Sequence, residues 1–154
     1  VLDAIQRNRK EGNNKTFAAM LETLKKTDEP TVEAAIIEFL FDLKDQGSVD
    51  VLVKALNNKE MAFYDSFLIA AFWQSAIDGS AHLPLFVKKA IEGDYMVCLE
   101  ALTVVENFDS SFNHEEIVNL EADLEEAIEA EKEKDKMNLL ISLRKVVSEL
   151  PREE

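Results

Sequence analysis

The feature that most constrains the fold is an apolar phrase that returns along the chain with helical spacing. Residues 48–58 read SVDVLVKALNN, and residues 82–93 read HLPLFVKKAIEG, about 35 residues later. Both phrases place apolar residues three or four positions apart and end at a polar stop, as amphipathic helices do. One short helical pair cannot bury its apolar stripe alone, so a repeat of this length predicts helices that stack on their neighbours.

Turn-forming residues are scarce in this sequence. The 154 residues include only 4 Gly and 3 Pro, whereas all-β folds need many turn residues. Leu, Ala, Glu and Lys, which are good helix formers, dominate, and no segment has the alternation of a strand. We therefore predict an all-α chain, and its length suits a single domain over residues 1–154.

The predicted helices form antiparallel pairs joined by short links. One of these helices, at residues 60–77, is apolar almost all round and is therefore expected to be buried. An extra helix is predicted at residues 1–11. The four predicted pairs cover residues 15–46, 48–77, 81–108 and 114–150.

Capping chemistry marks several of the predicted helix starts. Asp28 and Ser48 are each predicted to cap a helix, and Pro30 is expected in a first turn. Gly93 is predicted to end one helix, and Asp94 to cap the next one.

The third pair resembles the HEAT-repeat family. Its segment LPLFVKKAIEGDYMVCLEALTVVENF has a first helix, a short turn with Asp94, and a second helix that begins near Val97. Asp28 and Val32 match the turn acid and the following valine in the first pair, and the resemblance covers roughly residues 15–150. It implies a right-handed α-α superhelix, a HEAT-like solenoid, of about four helical pairs.

The negative charge is concentrated in one part of the chain. The formal net charge is −14, and residues 92–135 alone carry 15 acidic and 2 basic side chains. Such a surface repels nucleic-acid phosphates and anionic lipid and attracts basic groups. We therefore expect a protein or peptide partner, preferably a basic one, and neither nucleic acid nor a membrane. The alternative is that these charges only keep the helices in solution.

No residue pattern predicts catalysis, a cofactor or a metal site. His82 and His114 have no Cys or His at metal-ligand spacing, and Cys98 lies in an apolar helix without a basic neighbour. The sequence has neither a glycine-rich phosphate loop nor an EF-hand spacing. We predict that the protein is not an enzyme, although a helical enzyme with clustered carboxylates stays an alternative.

Cysteine usage and hydropathy predict a cytoplasmic protein. The single cysteine, Cys98, cannot form an internal disulfide, as expected in a reducing compartment. The longest apolar run, FLIAAFW at residues 67–73, is too short to cross a bilayer.

The second helices of the pairs carry aromatic and acidic residues at equivalent positions. Aligning Val32, Phe63 and Val97 defines rows that lie off the stripe predicted to face the first helices. The rows are Glu38–Ile69–Thr103, Phe41–Phe72–Glu106 and Asp42–Trp73–Asn107. Aromatic anchors with a charged rim are typical of grooves that bind peptides or helices.

We therefore predict a protein-binding scaffold or adaptor that uses the concave face of the solenoid. The predicted binding residues are Glu38, Phe41, Asp42, Ile69, Phe72, Trp73 and Glu106. In this hypothesis the aromatic residues anchor the partner, and the carboxylates select a basic segment.

Three alternatives accompany this hypothesis. Phe72 and Trp73 are also suited to fill the core between pairs. The chain is also suited to be a structural module of a larger repeat protein. The acidic helix around residues 115–131 is a second candidate docking face for a basic protein.

Overall fold

The computed structural model describes residues 2, 4, 5 and 14–153 of the chain. Leu2, Ala4 and Ile5 are helical. The rest of the helix predicted for residues 1–11 lies outside the described residues.

Helices make up the regular secondary structure of the described residues. Eight α-helices have defined bounds: α1 (Asn14–Lys26), α2 (Pro30–Leu40), α3 (Ser48–Leu56), α4 (Asp65–Gln74), α5 (Leu83–Glu92), α6 (Tyr95–Glu106), α7 (His114–Ala130) and α8 (Lys134–Glu149). Two 3-10 helices cover Lys59–Tyr64 and Ser80–His82. Within the described ranges no strand forms, and the β pairing found is an isolated bridge between Phe112 and Arg152. The all-α prediction is confirmed.

The chain divides into two compact units, and the first is Val1–Asp78. In this unit α1 contacts α2 and α3, while α2 and α3 each contact α4. The first helices of the two pairs therefore lie together, and so do the second helices. The rings of Phe17 and Phe39 join α1 to α2 at a centroid distance of 5.6 Å. The largest fully buried side chains of this core are Phe17, Leu24, Ile36, Leu40, Leu52, Leu56, Leu68 and Ile69.

The second unit, Gly79–Glu154, repeats this plan with longer helices. In it α5 contacts α6, α7 contacts α8, and the pairs meet through α5 with α7 and α6 with α8. The ring of Phe108 lies 5.8 Å from that of Phe86 and 6.0 Å from that of Phe112. The fully buried side chains at the centre include Leu83, Phe86, Cys98, Val105, Ile117, Leu124, Leu140, Leu143 and Val147.

Two of the predicted helix starts are confirmed. The backbone N–H of Val97 donates to Asp94 Oδ1 over 3.0 Å, which satisfies a free donor at the start of α6. Pro30 occupies the first residue of α2, where its missing N–H costs nothing.

The caps predicted from Asp28 and Ser48 are wrong. Glu29 precedes α2 without a side-chain cap, and Ser48 lies inside α3 with its side chain buried. The entry to α3 is instead shaped by Asp45, whose Oδ1 accepts from the Gly47 N–H over 2.9 Å. A local turn at an aspartate two residues earlier has replaced the expected serine cap.

Two predicted helices are shorter in the structure than in the sequence pattern. The helix expected to reach residue 46 ends at Leu40, and the helix expected at 60–77 splits into the 3-10 segment and α4. Asn58 starts the 3-10 segment because its Oδ1 accepts from the Glu60 N–H over 3.0 Å. Apolar periodicity alone does not distinguish this 3-10 turn from an α-helical turn.

Candidate functional site

Six of the seven predicted binding residues lie in the first unit, and they differ in exposure. Ile69 and Phe72 are buried within α4, at 0% and 6% exposure. Trp73, the next residue, is 38% exposed. The other three, at or just beyond the end of α2, are the exposed Glu38 and Asp42 and the half-buried Phe41.

Hydrogen bonds hold α2 and α4 side by side in the same direction. Near their starts, the Tyr64 hydroxyl donates to Glu33 Oε2 over 3.1 Å. Beyond their ends, the Ala76 N–H donates to the Leu43 carbonyl over 2.9 Å. The Gln46 side chain also donates to the Asp78 carbonyl over 2.7 Å and accepts from its N–H over 3.0 Å. The ends of the two helices therefore share one edge of the unit.

The burial pattern of α2 and α4 fits an offset of 32 residues, the separation of Gln46 and Asp78. Val32 and Leu40 are 4% and 0% exposed, and their equivalents Tyr64 and Phe72 are 9% and 6% exposed. Phe63 is 81% exposed, so its alignment with Val32 is wrong by one residue. A 3-10 helix has three residues per turn, whereas an α-helix has about 3.6. The 3-10 segment therefore changes which residues of α4 face the core, compared with one continuous α-helix.

The corrected offset places Trp73 at the position equivalent to Phe41. Phe72 becomes the equivalent of the buried Leu40, which accounts for its place in the core. We use the name α2–α4 surface for those predicted residues of the first unit that are exposed or half-buried. It consists of Glu38, Phe41, Asp42 and Trp73. It combines two aromatic residues with two carboxylates at the ends of α2 and α4, as a surface for a basic peptide requires.

The seventh predicted residue, Glu106, lies in the second unit. It is exposed in the last turn of α6. The following turn is fixed by Asn107, whose Nδ2 donates to the Thr103 carbonyl over 2.7 Å. The structure therefore places the third members of the predicted rows in a unit separate from the α2–α4 surface.

Polar contacts of the first unit alter the pKa of three groups. Burial, followed by the bond to Glu33, raises the pKa of Tyr64. Lys25 Nζ lies 2.8 Å from Glu60 Oε2 and 3.2 Å from Glu22 Oε2. The bond to Glu60 is the main cause that raises the pKa of Lys25, and the same bond lowers the pKa of Glu60. This ion pair joins α1 to the 3-10 segment that precedes α4.

The second unit has a groove of about 450 Å³ between α5 and α7. We name it the α5–α7 groove. Its apolar lining includes Val87, Ile91, Leu120 and Ala127. Its charged lining consists of three carboxylates and one amine, those of Glu92, Asp123, Glu126 and Lys88. An apolar groove with a few charged groups at its edge is a common form of binding site.

The acidic helix predicted around residues 115–131 corresponds to α7. Several of its carboxylates are paired inside the unit, since Arg144 Nη2 lies 2.9 Å from Glu125 Oε1 and Arg152 Nη2 lies 3.6 Å from Glu121 Oε1. Glu131 accepts from the N–H groups of residues 132 and 133. These bonds and Lys136 lower the pKa of Glu131. These acidic residues therefore form ion pairs that join α7 to α8 and to the segment that follows α8.

The cysteine and histidines do not form a reactive centre in the described residues. Cys98 is fully buried, and burial raises the pKa of its thiol to about 11, so it stays a thiol at neutral pH. His114 Nδ1 accepts from Arg152 Nε over 3.4 Å at the start of α7. No group of three or more His, Cys, Asp or Glu residues in the described ranges is arranged to hold a metal ion.

The described helices also lack a candidate membrane span, because none is both long and apolar enough to cross a bilayer.

Sequence reasoning missed the α5–α7 groove. The relevant signal is the pair of alanines at positions 127 and 130 on an otherwise acidic helix, since small side chains leave space against a neighbouring helix. The helical pattern of the sequence did not indicate which helix faces these alanines.

Comparisons with known proteins yield no match. No protein-family model matches the chain, and no curated protein and no solved structure is significantly similar to it. The HEAT-like resemblance therefore stays an expectation from the sequence.

Proposed function

We propose that this protein is a HEAT-like α-solenoid, a right-handed α-α superhelix of about four helical pairs, that acts as a non-enzymatic protein-binding scaffold. In each unit the first helices of two pairs lie together and so do the second helices, which supports stacking of pairs. The 32-residue offset between equivalent residues of α2 and α4 supports the repeat.

The partner in this proposal is a protein or peptide that presents a basic segment to the concave face, which contains the α2–α4 surface. Trp73 and Phe41 anchor the segment, while Glu38 and Asp42 bind its cations. Ile69 and Phe72 support the anchors from the core, and the contribution of Glu106 stays a prediction for the second unit. The proposed compartment is the cytoplasm.

The exposure of Trp73 is the observation that carries this proposal. At 38% exposure it presents a large aromatic surface to the exterior, one residue after the buried Phe72. Tryptophan is enriched among the residues that dominate binding energy at protein interfaces. An exposed tryptophan at the end of α4, on the edge that the end of α2 shares, is therefore suited to bind a partner with both apolar and basic groups.

The test is affinity purification from the native host with wild-type protein and the Trp73→Ala variant, at low and at high salt. We expect Trp73→Ala to lose a specific partner while unfolding at nearly the wild-type denaturant concentration. The control is Tyr95→Ala, which removes an aromatic residue of 46% exposure from the second unit. Equal recovery of every partner by wild type and Trp73→Ala, or a stability loss typical of a core deletion, contradicts the proposal.

A further inference from the structure

The α5–α7 groove has the size and lining to hold part of another helix. Its lining runs along α5 from Pro84 to Glu92, which corresponds to about 12 Å, or roughly two turns of a partner helix. Ala127 and Ala130 line the opposite side, and their small side chains leave the space open. Its volume of about 450 Å³ is comparable to that of known ligand pockets, which span roughly 300–1,000 Å³.

The three carboxylates of the groove lining have no cationic partner within the described residues. Glu92, Asp123 and Glu126 make no ion pair with any residue in the described part of the chain. By contrast, Glu121 and Glu125 on the same helix are both paired with arginines. The three carboxylates that line the groove are therefore available to bind the cations of a partner.

The positions of these carboxylates are unfavourable for the unbound protein. Asp123 and Glu126 are three residues apart on one helix, where like charges repel each other. Glu92 lies in the last turn of α5, where a negative charge opposes the helix dipole. A cation bound at the groove would relieve both effects, whereas an anion would strengthen them.

We propose that the α5–α7 groove docks a basic amphipathic helix of a partner protein. The inference rests on the proposed function as a protein-binding scaffold, and it adds a surface separate from the α2–α4 surface. Two apolar side chains of the partner, one helical turn apart, contact the groove at Ile91 and Ala127. Lysines or arginines that flank them bind Glu92, Asp123 and Glu126.

The probe is a model peptide of about 15 residues, since shorter isolated helices are marginal in water. It consists of leucine, alanine and lysine arranged as an amphipathic helix, and its counterpart has glutamate in place of every lysine. The peptide is titrated into the uniformly ¹⁵N-labelled full chain. We expect saturable amide shifts centred on α5 and α7 with the lysine peptide and no saturable shifts with the glutamate peptide.

Two sets of substitutions separate the groove from general attraction to an acidic protein. The triple variant Glu92→Gln, Asp123→Asn, Glu126→Gln removes the groove charges. The control, Glu129→Gln, Glu133→Gln, Glu149→Gln, removes three exposed charges that do not line the groove. We expect at least a tenfold weaker peptide affinity for the groove variant and less than a twofold change for the control.

A second pair of variants tests the shape of the groove. Ala130→Trp fills the space between α5 and α7, and Ala122→Trp adds the same side chain at an exposed position of α7 outside the groove. We expect Ala130→Trp to abolish saturable binding while the chain keeps its helical circular dichroism. Ala122→Trp should bind the peptide as wild type does.

The outcomes distinguish this inference from the proposed function. The inference is overturned if both triple variants weaken the peptide affinity equally. It is also overturned if the amide shifts are spread over the whole acidic surface. Either result would mean that the peptide binds by general electrostatic attraction. Absence of saturable binding by the lysine peptide also overturns it. If the cationic detergent dodecyltrimethylammonium fills the groove and the peptide does not, the site takes a small molecule instead. None of these results alters the expected loss of partner in Trp73→Ala.

Discussion

The two units of this protein pack helices in the same way, but they leave different chemistry exposed. In both, the first helices of adjacent pairs contact each other, as do the second helices. Among the described residues, the first unit exposes three aromatic side chains, those of Phe63, Phe67 and Trp73, whereas the second exposes one, that of Tyr95. The second unit exposes carboxylates around the α5–α7 groove. The same packing plan therefore does not determine the chemistry of the exposed surface, which depends on the few residues left outside each core.

The connections between helices also differ between the units. In the first unit the neutral amide of Gln46 bonds the backbone of Asp78. In the second unit a charged amine has the comparable role, because Lys136 Nζ donates to the Ile91 carbonyl over 2.7 Å and lies 3.2 Å from Glu131 Oε1. Charged hydrogen bonds are stronger than neutral ones, so the second unit should depend more on a single side chain.

The largest expected effect comes from the two cores. Phe86 and Leu52 are both 0% exposed, one in each unit. We expect Phe86→Ala to lower the free energy of unfolding by about 3–5 kcal/mol and Leu52→Ala by about 2–5 kcal/mol. Urea unfolding followed by circular dichroism measures both. A loss below about 1 kcal/mol in either variant would break the comparison, because that unit would lack a close-packed core.

The next effect concerns Lys136. The substitution Lys136→Met keeps the length of the side chain but leaves the Ile91 carbonyl without this donor. We expect a loss of about 1.5–3 kcal/mol, typical of a hydrogen bond to a charged group. Gln46→Ala should cost less, about 0.5–1.5 kcal/mol, because it removes a neutral bond. Urea unfolding of both variants sharpens the comparison, and a greater loss for Gln46→Ala contradicts it.

Gly93, between α5 and α6, has room for no side chain. A Cβ atom there would lie 2.5 Å from Val97 Cγ1 and 2.8 Å from the Lys89 carbonyl oxygen. We expect Gly93→Ala to lower the melting temperature and to cost about 1–3 kcal/mol. In the first unit, Gly47 has φ −60° and ψ −20°, which alanine adopts readily, so Gly47→Ala should leave stability unchanged or raise it by about 0.4–1 kcal/mol. Similar melting temperatures for the two variants would contradict the packing at Gly93.

The smallest expected effect is the acid dependence of the Lys25–Glu60 pair. Its bond with Lys25 holds the pKa of Glu60 below the ordinary value of 4.5. The folded state therefore binds this proton less readily than the unfolded state. The resulting stabilisation is present above pH 4.5 and is lost as the pH falls through the folded pKa. Glu60→Gln should therefore be less stable than wild type at pH 7, and the unfolding curves of the two proteins should converge in acid. A stability difference that does not change with pH would contradict a contribution from the Lys25–Glu60 pair.

The general plan of helices was predictable from the sequence because long apolar stripes have one helical period. The turn at Gly93–Asp94 was predictable as well, since a glycine stop precedes an aspartate cap. The caps at Asp28 and Ser48 were not, because capping chemistry also occurs at residues that turns or core packing use otherwise. Local sequence does not distinguish these cases.

The candidate surfaces were predictable only in part. The aromatic and acidic character of Phe41, Asp42 and Trp73 is visible in the sequence, but their exposure depends on the register of α2 and α4. The 3-10 segment Lys59–Tyr64 changes that register by one residue, and this change moves Phe72 into the core. The α5–α7 groove depends on which helices become neighbours, which is a property of tertiary packing.

The most direct test of the account is site-specific photocrosslinking in the native host. A benzophenone amino acid replaces Trp73 in one variant and Tyr95 in another, both at exposed aromatic positions. If the protein is a scaffold that binds partners through the α2–α4 surface, position 73 should yield a discrete adduct with a protein that carries a basic segment, and position 95 should not. No adduct at position 73, or the same set of adducts from both positions, would contradict the account.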